Sequence, residues 1–113
     1  MVTKMKINIL GTKYTVIITT AQKDSFLKQV DGYCDKTSKK IVVKDRDDSC
    51  ELENFEVYKK SCLRHEIIHA FLFESGLHQN FHHDEWGHEE TMVDWIATQF
   101  PKMVVAFKAA DAL

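Results

Sequence analysis

The sequence predicts an α+β fold: a small antiparallel sheet, then a long helix carrying His65-Glu66-Ile67-Ile68-His69, a second helix with acidic residues on one face, and a short C-terminal helix. Three observations support this. Short β-branched runs with polar alternation fill the first half of the chain, and apolar residues recur at helical spacing across the second half. The strand-like runs lie in the first half and the long helical ones in the second, which favours an antiparallel sheet over alternating βαβ units.

Met5 to Leu10 alternates, with Ile7 and Ile9 set against Lys6 and Asn8, and Gly11-Thr12 makes a turn. The β-branched stretch Tyr14 to Thr20 follows and completes a hairpin. Phe26, Leu27 and Val30 give the stretch Ala21 to Val30 a short helical spacing, with Asp24 or Ser25 as cap. Gly32-Tyr33-Cys34 and Lys40-Ile41-Val42-Val43 flank the polar turn Asp35 to Lys39 and predict a second hairpin, followed by a charged loop from Lys44 to Cys50. Leu52 to Ser75 is helical and apolar on more than one face, so burial on several sides is expected, and Gly76 is a natural stop. Leu77 to Gly87 reads as a His-rich loop holding Phe81 and Trp86. A second helix is expected from about His88 to Phe100, ending before Pro101, and Met103, Val104 and Phe107 suggest a last helix over Lys102 to Leu113.

A chain of 113 residues with 44% apolar and 28% charged residues predicts one globular domain over 1–113. A net charge of -2, from 15 basic and 17 acidic residues interspersed, gives no basic stripe for nucleic acid. No apolar run is long enough for a membrane span. The stretch MVTKMKINIL turns to alternation without a signal-peptide apolar segment, so a cytoplasmic location is expected. Cys34, Cys50 and Cys62 are odd in number and widely spaced, which argues against a disulfide framework. Oligomeric state has no signature in the sequence.

His65 and His69 stand four residues apart, on one helix face and about 6 Å apart along its axis, so both imidazoles can address one zinc ion. Glu66 is angled to the side, where its carboxylate can reach an attacking water without binding the metal. A hydrolytic zinc needs a third protein ligand and an open fourth position. The second helix offers Glu90, with Asp94 one turn later positioned to accept the far N–H of a ligand histidine. Adjacent Glu89 is an alternative third ligand, although the i+4 relation to Asp94 favours Glu90. His78, His82, His83 and His88 are further alternatives. Cys62 shares the face of His65 and is a possible fourth ligand, though that would close the position water needs. One of the loop histidines or Tyr58 could stabilise an oxyanion.

His65-Glu66-x-x-His69 followed by Glu90-x-x-x-Asp94 resembles the gluzincin pattern of thermolysin-like peptidases. With the sheet before the helix and the run Val93-Asp94-Trp95-Ile96-Ala97, the chain from about Gly32 to Pro101 is most similar to the small ImmA/IrrE-type metallopeptidases of bacteria, phages and mobile elements. The resemblance implies a minimal zincin fold. It also implies His65, His69 and Glu90 as zinc ligands, Glu66 as general base, and Asp94 as the group orienting a ligand histidine. The expected activity is peptide-bond hydrolysis, with a transcriptional repressor or another host or phage protein as substrate. A metzincin pattern is excluded, because Leu72 and Ser75 stand where it needs Gly and His; a histidine third ligand of the SprT type stays open. The alternative to an enzyme is a zinc-stabilised interaction module, which a small domain could use as a staple. Lys40 to Lys44, if it forms the sheet edge, could receive an extended peptide by strand addition, the alternative being a solvated edge blunted by lysine.

Overall fold

The computed structural model describes residues 2–47, 50–76 and 89–113. Strands β1 (Thr3–Ile9) and β2 (Thr12–Thr19) pair antiparallel, with Met5 opposite Val16 and Ile9 opposite Thr12. Leu10 and Gly11 join them at φ of 50° and 93°, the left-handed pair that lets a two-residue hairpin follow the strand twist. Asn8 holds this turn by accepting from the Gly11 N–H at 2.7 Å. The stretch where a short helix is expected contains a single 3-10 turn, Ser25–Lys28, capped by the Asp24 side chain, and this turn fully buries Leu27. Strands β3 (Gly32–Asp35) and β4 (Lys40–Lys44) form the second hairpin. Its turn is organised by the Asp35 carboxylate, which accepts from the N–H and the hydroxyl of Thr37 at 2.9 and 2.6 Å.

The two hairpins meet through β2 and β4, which run parallel in the order β1-β2-β4-β3. The sheet is therefore mixed, and the expected all-antiparallel sheet is corrected at this seam. The cause is visible in β4. Ile41, Val42 and Val43 are consecutive and all buried, so this strand lacks the alternation of a half-solvated one and takes a central place. The shorter β3, with Gly32 at one end and Asp35 at the other, takes the edge. That also corrects the expectation that Lys40 to Lys44 is the edge strand.

Helix α1 (Phe55–Ser75) begins where Asn54 accepts from the Val57 N–H and ends at Gly76, whose φ of 84° closes the last turn. Cys62, Leu63, Ile67 and Ala70 pack onto Ile9, Tyr14, Val16, Ile41 and Val43 of the sheet. The helix is less buried than its apolar residues predict; Val57, Tyr58 and Phe71 face solvent. At its C-terminal end Glu74 accepts from the Tyr14 hydroxyl at 2.8 Å and from Lys39 at 2.9 Å, fastening α1 to β2 and to the β3–β4 turn. Lys39 first, then Thr12 and Tyr14, hold the Glu74 carboxyl down at about 2.

Helix α2 (Glu90–Ala109) runs on through Pro101, so the structure has two α-helices among the described residues and not the three expected. Proline lacks the N–H that would bond the Ala97 carbonyl, which is why a helix end is expected there. Arg64 on α1 supplies the missing donor, its Nε–H lying 2.5 Å from the Ala97 oxygen. A tertiary hydrogen bond thus offsets part of the cost of an internal proline. Val93 and Ala97 are the buried residues of α2. No helix among the described residues is long and apolar enough to cross a membrane.

Candidate metal centre

The site forms where the middle of α1 meets the first turns of α2. His65 and His69 follow one face of α1, and their Nε2 atoms lie 3.1 Å apart. Glu90, in the first turn of α2, reaches both: one carboxylate oxygen is 2.7 Å from His69 Nε2 and the other 3.5 Å from His65 Nε2. The ligating atoms of His65, His69 and Glu90 all lie within 4.8 Å of one another, so these three residues could hold a metal ion. The Glu90 side chain is 66% exposed, which leaves the group open to water on one side.

Asp94, one turn after Glu90, places Oδ1 2.6 Å from His65 Nδ1. A carboxylate only accepts, so this contact keeps the proton on Nδ1 and leaves the Nε2 lone pair directed at the cluster. Glu89 has a different task. Its carboxylate caps α2, accepting from the N–H groups of Thr91 and Met92 at 3.0 and 2.8 Å, and these bonds lower its pKa. Of the two adjacent glutamates, the structure brings Glu90 to the histidines. His78, His82, His83 and His88, the other third-ligand candidates, lie outside the described residues, as do Phe81 and Trp86.

Glu66 sits beside the cluster and under the sheet edge, only 8% exposed, with Oε2 3.9 Å from His65 Nε2. Burial pushes its carboxyl up to about 7; the nearby Glu90 and Asp94 push the same way and His65 opposes them. Burial also draws His69 below the usual imidazole value, against the pull of Glu90. Both groups are thus held away from their charged forms by a dry setting.

A cleft of about 290 Å³ opens along the Glu66 side, lined by Asp31, Gly32, Tyr58, Ser61, Cys62 and Asp94 together with His65 and Glu66. Gly32 is the residue that sequence reasoning missed. A Cβ there would stand 3.0 Å from the Val42 carbonyl oxygen and 3.4 Å from Glu66 Cγ, so only glycine lets β3 lie this close to the carboxylate. A glycine inside a strand signals such close approach, and that was the available clue. Tyr58 donates its hydroxyl proton to Asp31, so the proton an oxyanion would need is already committed. Cys62 lines the cleft without joining the three converging residues, and burial raises its thiol pKa.

Comparison with protein-family models, with curated protein sequences and with solved structures gives no match. The functional reading therefore stands on the residues and their geometry.

Proposed function

We propose that this chain is a zinc-dependent peptidase of minimal zincin architecture, with His65, His69 and Glu90 as ligands and Glu66 as general base. The observation that carries the proposal is the convergence of two imidazole nitrogens and a carboxylate from separate helices beside a buried, weakly acidic glutamic acid. The donor set fits zinc. Donors bound at about 2.1 Å and tetrahedral angles stand roughly 3.4 Å from one another. Here the two Nε2 atoms are 3.1 Å apart, Glu90 offers one oxygen 2.7 Å from His69 and its other 3.5 Å from His65, and one donor atom from each residue can be chosen with all three within 4.8 Å. Two neutral nitrogens and one carboxylate are also a ligand set that hydrolytic zinc sites use, with the fourth position left to water.

When bound, zinc supplies Lewis acidity toward a substrate carbonyl and brings the pKa of water toward about 7. The remaining work falls to the chain's own groups. Glu66 takes the proton of the attacking water on its carboxylate and returns it to the leaving nitrogen. Asp94 keeps His65 in the tautomer that offers Nε2. Edge strand β3 can align the substrate. The Lys44 N–H donates to the Asp31 carbonyl at 2.9 Å, so Asp31 and Tyr33 turn their backbone groups toward β4. By alternation, Gly32 and Cys34 present theirs outward, beside Glu66, where an extended peptide can pair.

The test is Glu66→Gln assayed against unstructured protein substrates. Zinc content should stay at the wild-type level while cleavage falls by about a hundredfold or more. Wild-type cleavage by Glu66→Gln would end the proposal. Zinc binding without any cleavage by the wild type would favour the interaction-module alternative.

A further inference from the structure

Helix α2 rests on α1 through Val93 and Ala97, which are almost fully buried, small and apolar. Such a contact resists separation but resists sliding poorly, because the hydrophobic effect has no direction. The metal centre does not tolerate sliding. One residue of slip moves a helix by about 1.5 Å along its axis. The Glu90–His69 approach at 2.7 Å and the hydrogen bond that His65 Nδ1–H donates to Asp94 at 2.6 Å keep their geometry over only a few tenths of an ångström.

Outside the metal centre itself, the described residues hold a further directional anchor between the two helices. Pro101 cannot donate to the Ala97 carbonyl, and that oxygen receives the Arg64 Nε–H at 2.5 Å. Ala97 follows Asp94 by three residues and Glu90 by seven, so all three lie on the face of α2 turned to α1. Arg64 immediately precedes His65, which puts donor and ligand on the same turn of α1. Arg64 also borders a groove made with Ile67, Ile68, Phe71, Ile96 and Phe100, and apolar surroundings strengthen a hydrogen bond within them.

We infer that Arg64 is a positioning residue for the metal centre: by donating to the carbonyl that Pro101 leaves open, it fixes the axial register of α2 on α1, and so the places of Glu90 and Asp94. Pro101 is then half of a device, since a residue with an N–H at that position would occupy the Ala97 oxygen from within the helix. The inference rests on the metal reading above, and its test separates the two.

The experiment is a double-mutant cycle in the full chain: wild type, Arg64→Leu, Pro101→Ala and the double variant, with Arg64→Lys beside them. Zinc dissociation constants come from chelator competition, and metal-free stabilities from urea unfolding. Arg64→Leu should weaken zinc by about tenfold, and Arg64→Lys should recover most of that loss. Pro101→Ala, whose new N–H competes for the Ala97 carbonyl, should weaken zinc in the same direction as Arg64→Leu, and adding Arg64→Leu to it should cost less than about threefold more, because the tertiary bond is already displaced. The same loss with and without Pro101, or no loss in Arg64→Leu, overturns the inference. If wild type binds no zinc, the metal reading fails and Arg64 positions no metal centre. The urea cycle would then still show, by its non-additivity or additivity, whether Arg64 and Pro101 are linked in the fold.

Discussion

Glu66→Gln should stabilise the metal-free protein at neutral pH, and the gain should disappear in acid. Glu66 is 8% exposed and its carboxyl is raised from 4.5 to about 7, chiefly by burial. A group whose folded value lies above its unfolded value contributes stability that is fully present below the unfolded value and is lost as pH rises through the folded one. For Glu66 that window runs from 4.5 to about 7. The full displacement corresponds to roughly 3 kcal/mol, and water in the adjoining cleft reduces this to about 2. Glutamine has nearly the same shape and no charge, so it escapes the penalty. Urea unfolding of chelator-treated wild type and Glu66→Gln would show equal stabilities near pH 4 and a variant more stable by about 2 kcal/mol at pH 8. Taking the difference between the two proteins cancels most of the histidine titration they share. Zinc should shrink the gap, since a cation favours the charged carboxylate. A difference that does not change with pH, or a less stable Glu66→Gln at pH 8, would refute the reasoning.

Other variants probe the remaining parts of the site and its frame. Gly32→Val places a Cβ 3.0 Å from the Val42 oxygen, a backbone atom that cannot rotate away, so β3 must move outward. Unfolding should show a loss of about 1–3 kcal/mol, and zinc should be retained while cleavage falls; wild-type cleavage would show that β3 need not lie against Glu66. Asp94→Ala should leave the fold intact and weaken zinc by about tenfold, and an unchanged affinity in chelator competition would remove Asp94 from its role. Tyr14→Phe should cost about 1 kcal/mol in thermal unfolding, since it deletes the buried donor to Glu74. Glu74 is held low, at about 2, so its stabilising contribution is present above 4.5 and should be lost as pH falls from there. A wild-type unfolding temperature that is flat over that acid range would contradict this.

Much of the molecule was legible in local sequence. The turn at Gly11, the Asp24 cap and the stop at Gly76 follow from turn and cap chemistry acting over a few residues. The two hairpins belong to the same class, as do the shared faces of His65 with His69 and of Glu90 with Asp94, which helical spacing dictates. What was hidden depends on partners distant in sequence. The parallel β2–β4 seam reflects which strand is buried on both faces, and alternation alone does not order four strands. Where α2 passes through Pro101, the carbonyl left without its helical donor is served by Arg64, 33 residues before it. Gly32 could be noticed in sequence, but its reason, the approach of β3 to Glu66, exists only once the sheet lies on the helix.

The most direct test of the central claim is metal content per chain, by elemental analysis, in purified wild type, His69→Ala and Glu90→Ala. The expected result is one zinc per wild-type chain, with little or none retained by either variant after dialysis. Zinc retained by Glu90→Ala at the wild-type level would contradict the two-helix site. Wild-type protein that takes up no metal on reconstitution would contradict the account as a whole.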